Sequence, residues 1–139
     1  MGRVKPFLFF SVGLLIFTLI FSGCGDKMPD RTALLTSGPW LYNSSSAFGT
    51  GLDSVYIKGF AFQFQSSELT FNVDYTTVWK FQNGTEVPGE WSWDANETMV
   101  FYSQDGASPF VWNVDYLTED ALEVSWVEGD GIVSHLFSH

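Results

Sequence analysis

Residues 77–93 read TVWKFQNGTEVPGEWSW, and their pattern decides the fold class. On either side of Asn83-Gly84, large apolar side chains alternate with other residues, which is the two-residue period of a half-buried β-strand. Asn-Gly readily adopts the positive φ angles of a tight hairpin turn. The stretch therefore predicts two antiparallel strands joined by a hairpin.

The same alternation extends over most of the chain from Leu34 onward, where no long window shows the 3.6-residue apolar period of a helix. Asp105-Gly106 predicts another tight turn, and Lys58-Gly59 interrupts the alternation as a β-bulge would. We expect a longer loop at 43–46 and 50–53. The predicted strands include 60–64, 69–73, 110–116, 122–126 and 132–137, with another beginning at Trp40.

About eight short strands at hairpin spacing predict an all-β domain. A closed sheet is favoured over an open one because closure removes exposed strand edges. We therefore expect a single antiparallel up-and-down β-barrel.

Composition narrows the possible functions. The chain has 139 residues, the size of one domain, with 16 acidic and 6 basic residues, a net charge of −10, and one cysteine. The acidic excess argues against a nucleic acid partner, and the lone cysteine argues against a disulfide framework or a multi-cysteine zinc site. The sequence contains no motif for a cofactor or a metal ion, so we expect none.

The N-terminal segment has the pattern of an export signal. Arg3 and Lys5 precede an apolar run at 7–21, which as a helix is too short for the roughly 30 Å bilayer core. Ser22-Gly23 and then Cys24 follow. This arrangement resembles the lipobox of bacterial lipoproteins, although that pattern usually has an aliphatic residue where Phe21 stands here.

The lipobox resemblance predicts how the chain is organised. Residues 1–23 would be a lipoprotein signal peptide, 24–33 a tether beginning at the lipidated Cys24, and 34–139 the barrel domain. Removal of the signal would take two basic residues and leave 4 basic and 16 acidic ones. We expect a protein of the bacterial cell envelope, attached to a membrane through the lipid on Cys24.

The order of several motifs resembles a known family. Gly38-Pro39-Trp40 is similar to the Gly-x-Trp opening of lipocalins, and the chain as a whole resembles the lipocalin-like domains of small bacterial lipoproteins. The resemblance implies a lipocalin-like barrel that can hold a small ligand. The further motifs that carry this resemblance follow in the order found in that family: Phe71-Asn72-Val73-Asp74, Gly89-Glu90-Trp91-Ser92-Trp93, Tyr116-Leu117-Thr118 and Leu122-Glu123-Val124.

Two features depart from that family. Asp74 is followed by Tyr75, where the family usually has glycine, and no Lys or Arg occurs after Lys80 to cover the motif tryptophan, as a late basic residue does in lipocalins.

Large aromatic side chains on the inward faces can either fill a narrow barrel or line a pocket, and the sequence leaves both open. If a pocket exists, we expect it to take a small apolar ligand. The alternative is a non-enzymatic interaction module that presents the barrel surface to envelope proteins or glycans. The candidate ligand-binding residues are Phe62, Trp79, Trp91, Trp93, Trp112 and Trp126.

No catalytic residue is assigned, and we expect a protein that is not an enzyme. His135 and His139 lie near the end of the sequence, where chains commonly fray. Glu90 and Asp94 could share a strand face, as the two carboxylates of a glycoside hydrolase must. Acidic side chains on the outside of a barrel are, however, ordinary surface residues.

Overall fold

The computed structural model describes residues 29–139 except 50, 51 and 53. The predicted signal peptide and Cys24 therefore lie outside the described residues. Neither helix in the described part of the chain is long and apolar enough to cross a membrane. The elements are α1 (Arg31–Leu35), β1 (Pro39–Gly49), α2 (Ser54–Phe64), β2 (Glu68–Phe71), β3 (Thr76–Lys80), β4 (Glu86–Trp93), β5 (Met99–Gln104), β6 (Phe110–Leu117), β7 (Ala121–Glu128) and β8 (Gly131–Ser138).

The eight strands form a closed barrel in chain order, and every neighbouring pair is antiparallel. Closure comes from β1 and β8, which pair from Leu41↔Ser138 to Gly49↔Gly131. The predicted all-β, antiparallel up-and-down barrel of eight strands is confirmed. Closure pairs the first strand with the last, although β2 covers the other edge of β1 only over Pro39–Leu41.

The turn residues act as the sequence predicts. Gly84 has a φ of 81°, and its N–H donates to the carbonyl of Phe81 at 2.9 Å in the turn between β3 and β4. Asp105 and Gly106, at the end of β5, have φ angles of 44° and 74°. Both predicted tight turns are therefore present.

The strand predicted at 60–64 is wrong, because these residues form the last part of α2. Tyr56, Phe60 and Phe64 are spaced by four residues and share one face of this helix. The rings of Phe60 and Phe64 stack with centroids 6.0 Å apart, and Phe64 stacks on Trp79 at 4.6 Å. Phe60, Phe62 and Phe64 also fit the alternation of a strand. Packing of the Tyr56, Phe60 and Phe64 face against the barrel favours the helix.

Two further predictions need correction. Lys58-Gly59 lies within α2 and forms no β-bulge, whereas a real bulge interrupts the pairing of β1 with β8 between Tyr42 and Ser44. Residues 43–46 are part of β1 and not of a loop, since their backbone pairs with β8. A second bulge or irregularity interrupts the pairing of β6 with β7 between Val114 and Tyr116. Tyr116 is exposed, although the alternation of β6 predicts that it faces inward.

The end of the barrel near α1, here called the α1 end, is sealed by packing. Leu35 and Trp40 are fully buried, and the indole Nε1 of Trp40 donates to the carbonyl of Leu35 at 2.8 Å. The ring of His139 stacks on Trp40 with centroids 3.9 Å apart, and its Nδ1 and Nε2 lie 2.9 Å from the Pro39 carbonyl and 2.8 Å from the Ser37 hydroxyl. His139 thus covers the motif tryptophan, for which no late Lys or Arg is available.

Gly89 allows β3 and β5 to approach β4 closely. A Cβ at this position would lie 2.6 Å from Thr77 Oγ1 and would clash with the Ser103 carbonyl. We expect Gly89→Ala to lower the free energy of unfolding by about 1–3 kcal/mol, as overpacking of a rigid interior does. Gly59→Ala is the control, because nothing lies near its Cβ position and alanine favours a helix by about 0.5–1 kcal/mol. Urea denaturation should show Gly59→Ala to be at least as stable as the wild type, and Gly89→Ala to be less stable than the wild type. Equal stability of wild type and Gly89→Ala would contradict the packing argument.

Candidate functional site

A cavity of about 300 Å³ lies at the opposite end of the barrel, here called the α2 end. It is enclosed mainly by aromatic rings from α2 and from the inner faces of β3, β5, β6 and β7. We call it the ring cavity. Its lining residues are Tyr56, Phe60, Gln63, Phe64, Trp79, Phe81, Tyr102, Gln104, Phe110, Trp112, Trp126, Glu128 and His135.

The inner wall of the ring cavity is built from stacked aromatic side chains. Tyr102 and Trp112 stack with centroids 4.8 Å apart across β5 and β6, and Trp79 meets both rings edge to face at 6.2 Å. Phe60 of α2 meets the edge of Trp126 at 5.8 Å. Alternation within the strands turns the rings of Trp79, Tyr102 and Trp112 inward. The four-residue spacing in α2 places Phe60 on the helix face that meets them.

His135 brings a polar group into this aromatic wall. Its ring lies edge to face with Phe60, Phe64 and Trp126, at centroid distances of 5.3, 5.4 and 4.7 Å. Its Nδ1 lies 2.7 Å from the hydroxyl of Ser45, which in turn lies 2.5 Å from the hydroxyl of Tyr42. Tyr42, Ser45 and His135 therefore form one hydrogen-bonded chain, here called the inner polar chain.

Burial keeps the imidazole neutral. Only 2% of the His135 side chain is exposed, and desolvation lowers its pKa from the ordinary 6.5 to about 4. The prediction that His135 lies in a fraying terminus is wrong, because residue 135 lies inside β8, paired with both β1 and β7. A ring nitrogen of neutral imidazole can donate or accept, so this side chain can bind a polar atom inside the cavity.

Tyr102 adds a second buried polar group to the lining. Its hydroxyl has no hydrogen bond of good geometry among the described residues. Desolvation by burial raises the pKa of this phenol, and the neighbouring Gln104 side chain opposes the rise only in part. The group is therefore a neutral hydroxyl, and a buried hydroxyl without a partner is costly.

The six predicted ligand-binding residues separate into three groups. Trp79, Trp112 and Trp126 line the ring cavity. Trp91 and Trp93 point inward but lie at the α1 end, where their indole Nε1 atoms donate to the carbonyl of Asn72 at 2.9 Å and to Thr32 Oγ1 at 3.0 Å. Phe62 is 86% exposed and lies outside the cavity, because it follows the outer face of α2 and not an inner strand face. The structure therefore brings together only the first group.

Other lining residues were missed, and the reasons differ. Tyr56, Phe60 and Phe64 carried a helical signal in their spacing of four, which the stronger two-residue alternation concealed. Ser45 and His135 carried no local signal, since 90 residues separate them and only barrel closure makes them cross-strand partners.

The carboxylates weighed for hydrolysis do not form a pair in a cleft. Glu90 is exposed on the outer face of β4. Asp94 caps the following turn, where backbone N–H groups of Met99 and Thr98 donate to it at 2.7 and 2.6 Å; these bonds, that of Met99 foremost, lower the pKa of its carboxyl. Within the described residues, no group of His, Cys, Asp and Glu side chains could hold a metal ion.

Acid should destabilise the barrel through His135. Between pH 6.5 and about 4 the unfolded chain binds a proton at this residue that the folded protein does not, so the free energy of unfolding falls as the pH falls. The loss over this window should total about 3 kcal/mol, and the residue should add nothing further below it. Urea denaturation at a series of pH values measures the effect.

The histidine variants supply the controls for that series. His135→Phe keeps a ring at the site and should lose this part of the pH dependence, whereas His139→Phe should retain it. The other titratable side chains that contact the inner polar chain or line the same cavity are Tyr42 of β1, Tyr56 of α2, Tyr102 of β5 and Glu128 of β7. All four are present in both variants, so an equal pH dependence in wild type and His135→Phe would contradict the assignment.

Comparison with known proteins supports the fold and gives no function. No family model and no curated protein matches the chain. A crystal structure of a DUF4847 family protein from Bacteroides vulgatus ATCC 8482 matches with a TM-score of 0.52 at 15% sequence identity. The match covers 79% of this chain and 97% of that one. At this identity the likeness shows that the two proteins share a fold, and nothing more.

Proposed function

We propose that this protein is a lipid-anchored, lipocalin-like binding protein of the bacterial cell envelope, and that it holds a small apolar ligand in the ring cavity. The observation that carries the proposal is the cavity itself, about 300 Å³ in volume and lined mainly by aromatic rings. Concave, largely apolar sites with a few polar groups are the usual form of small-molecule sites. The lipocalin-like resemblance implies the same kind of function.

The difference between the two ends of the barrel supports this proposal. The indole groups of Trp40 and Trp93 are both hydrogen-bonded within the α1 end, so the aromatic side chains there act as filling. At the α2 end the rings surround a space that they leave empty. A barrel that needed its aromatic residues only for stability would be expected to fill both ends.

The path of the chain supports an anchored orientation. Pro29 and Asp30 lie at the α1 end, beside Asn96 and Leu117. Cys24 precedes Pro29 by five residues, which span at most about 17 Å. A lipid on Cys24 would therefore hold the α1 end towards the membrane and leave the ring cavity at the far end of the barrel, open to molecules from the surrounding solution.

A second function, an interaction module for envelope proteins or glycans, is favoured by a row of apolar residues on the outer surface. Phe48 of β1 pairs with Ile132 of β8, which pairs with Val127 of β7. All three side chains are exposed, Phe48 by 84%. Adjacent exposed apolar residues of this kind are typical of contact surfaces.

Gln104→Trp tests the ligand-binding proposal. Gln104 is half-buried in the cavity lining, so an indole in its place should occupy the space. We expect naphthalene, a probe of suitable size and without polar groups, to quench the intrinsic tryptophan fluorescence of the wild type and to bind Gln104→Trp at least about 10-fold more weakly, the loss that about 1.4 kcal/mol of contact produces.

The matched control for that test is Gln82→Trp, which adds the same ring in an exposed turn outside the cavity lining. It should bind naphthalene as the wild type does. Equal binding to both variants, or a wild type that binds neither naphthalene nor its acceptor-bearing analogue isoquinoline, would overturn the ligand-binding proposal and leave the interaction module as the better one. Native mass spectrometry of the detergent-extracted protein would then show whether any small molecule co-purifies.

Cys24→Ala tests the anchor. In bacteria fed an alkyne-labelled fatty acid, the full-length wild type should carry the label, and Cys24→Ala should carry none, because the thiol that accepts the lipid is missing. The double variant Cys24→Ala/Ser37→Cys restores a thiol outside the lipobox-like pattern and should also remain unlabelled. Labelling of Cys24→Ala would show that the chain is acylated elsewhere or by another route.

A further inference from the structure

We infer that the ring cavity selects a neutral, planar aromatic molecule that carries a hydrogen-bond acceptor, and that the Nε2–H of His135 donates to that acceptor. The inference rests on the proposed ligand-binding function and names the ligand class. It follows from the inner polar chain, from which we assign the position of the imidazole proton.

The relative acidity of the groups along the inner polar chain points to one tautomer. The hydroxyl of Tyr42 lies 2.5 Å from the Ser45 oxygen, and because a phenol is a more acidic donor than an aliphatic hydroxyl, we assign the proton of that bond to Tyr42. Ser45 accepts there, and its own proton is then directed to His135 Nδ1 at 2.7 Å. Nδ1 is therefore the acceptor nitrogen, and a neutral imidazole must carry its proton on Nε2.

The surroundings of the imidazole leave that Nε2–H for a ligand. Apart from Ser45, the polar group beside the imidazole is the backbone of Ser134, which raises its pKa against the effect of burial. Among the described residues Nε2 has no hydrogen bond of good geometry, and the aromatic side chains of Phe60, Phe64 and Trp126 pack around the ring. The residue lines the ring cavity, so the donor is available from within it. A donor enclosed by apolar rings favours a ligand that supplies an acceptor, because an unpaired buried donor is costly.

The remaining lining residues determine the rest of the ligand class. Flat rings on the cavity wall, such as the stacked Tyr102 and Trp112, favour a planar aromatic ligand that continues the stack. Glu128 lies in the lining, and the chain has a net charge of −10, so an anionic ligand is disfavoured. The amides of Gln63 and Gln104 and the hydroxyl of Tyr102, which has no hydrogen bond of good geometry among the described residues, provide further polar contacts.

Naphthalene and isoquinoline form the matched probe pair. The two molecules have the same shape, and isoquinoline replaces one C–H group by an acceptor nitrogen that is unprotonated at pH 8. The measured quantity is the ratio of their dissociation constants, obtained from tryptophan quenching at pH 8 for each protein. The two probes differ in the free energy of their hydration, but this difference is the same for every protein. It therefore cancels when the ratio for a variant is compared with the ratio for the wild type.

His135→Phe should shift that ratio by about 10-fold against isoquinoline, because the ring remains and the donor is lost. Ser45→Ala and Tyr42→Phe should each shift it in the same direction by a smaller factor, since they leave the imidazole in place and remove the group that assigns its proton. His139→Phe, at the other end of the barrel, should leave the ratio unchanged. These four variants distinguish donation by the imidazole from a general loss of packing.

The tautomer can be observed directly in the wild-type protein. The chain contains two histidines, so a long-range proton–nitrogen NMR spectrum shows two imidazole rings, and His139→Phe identifies the one that remains as His135. We expect the Nε2–H form at pH 8. A spectrum with the proton on Nδ1 would overturn the inference, whatever the binding data show.

The binding data separate the two proposals. If naphthalene binds and His135→Phe leaves the ratio unchanged, the ligand class is wrong and the ligand-binding function stands. If neither probe binds to the wild type, the ligand-binding function fails and the inferred ligand class fails with it.

Discussion

The pairing of β1 with β8 is the constraint on which the rest of the structure depends. It closes the sheet, and its register makes Ser45 and His135 direct cross-strand partners, so that their side chains meet inside the barrel. The bulge between Tyr42 and Ser44 lies in the same pair of strands and allows both Tyr42 and Ser45 to contribute to the interior. The contact that completes the fold thus also builds the inner polar chain.

Much of the barrel could be predicted because its determinants are local. Alternation in 77–93 and the Asn83-Gly84 dipeptide specify a hairpin without reference to any other part of the chain. Helix α2 could not be recognised in this way, since Phe60, Phe62 and Phe64 satisfy the strand period while Tyr56, Phe60 and Phe64 satisfy the helical one. Packing of Phe64 on Trp79, a contact between distant parts of the sequence, distinguishes the two.

The candidate site was predicted only in part, because local patterns do not encode the contacts between separate parts of the chain that build it. Inward-facing tryptophans can be identified from alternation, and Trp79, Trp112 and Trp126 do line the ring cavity. Alternation does not reveal height along the barrel axis, so it could not separate these residues from Trp91 and Trp93, which lie at the α1 end. The position of His135 depends on closure, which no local pattern encodes.

Whether the aromatic residues fill the barrel or line a pocket depends on the end of the barrel. At the α1 end, the indole groups of Trp40, Trp91 and Trp93 each donate to an oxygen of the protein, which satisfies them without a ligand. At the α2 end, the hydroxyl of Tyr102 has no hydrogen bond of good geometry among the described residues, and the hydrogen bond of good geometry that His135 makes there joins its Nδ1 to Ser45. Unsatisfied polar groups beside an empty aromatic space reduce stability, and a bound molecule that stacks on the rings and accepts a hydrogen bond would remove that cost. The α1 end is thus packed with aromatic side chains that are satisfied within the protein, whereas the α2 end keeps a cavity that a ligand of the proposed kind would fill.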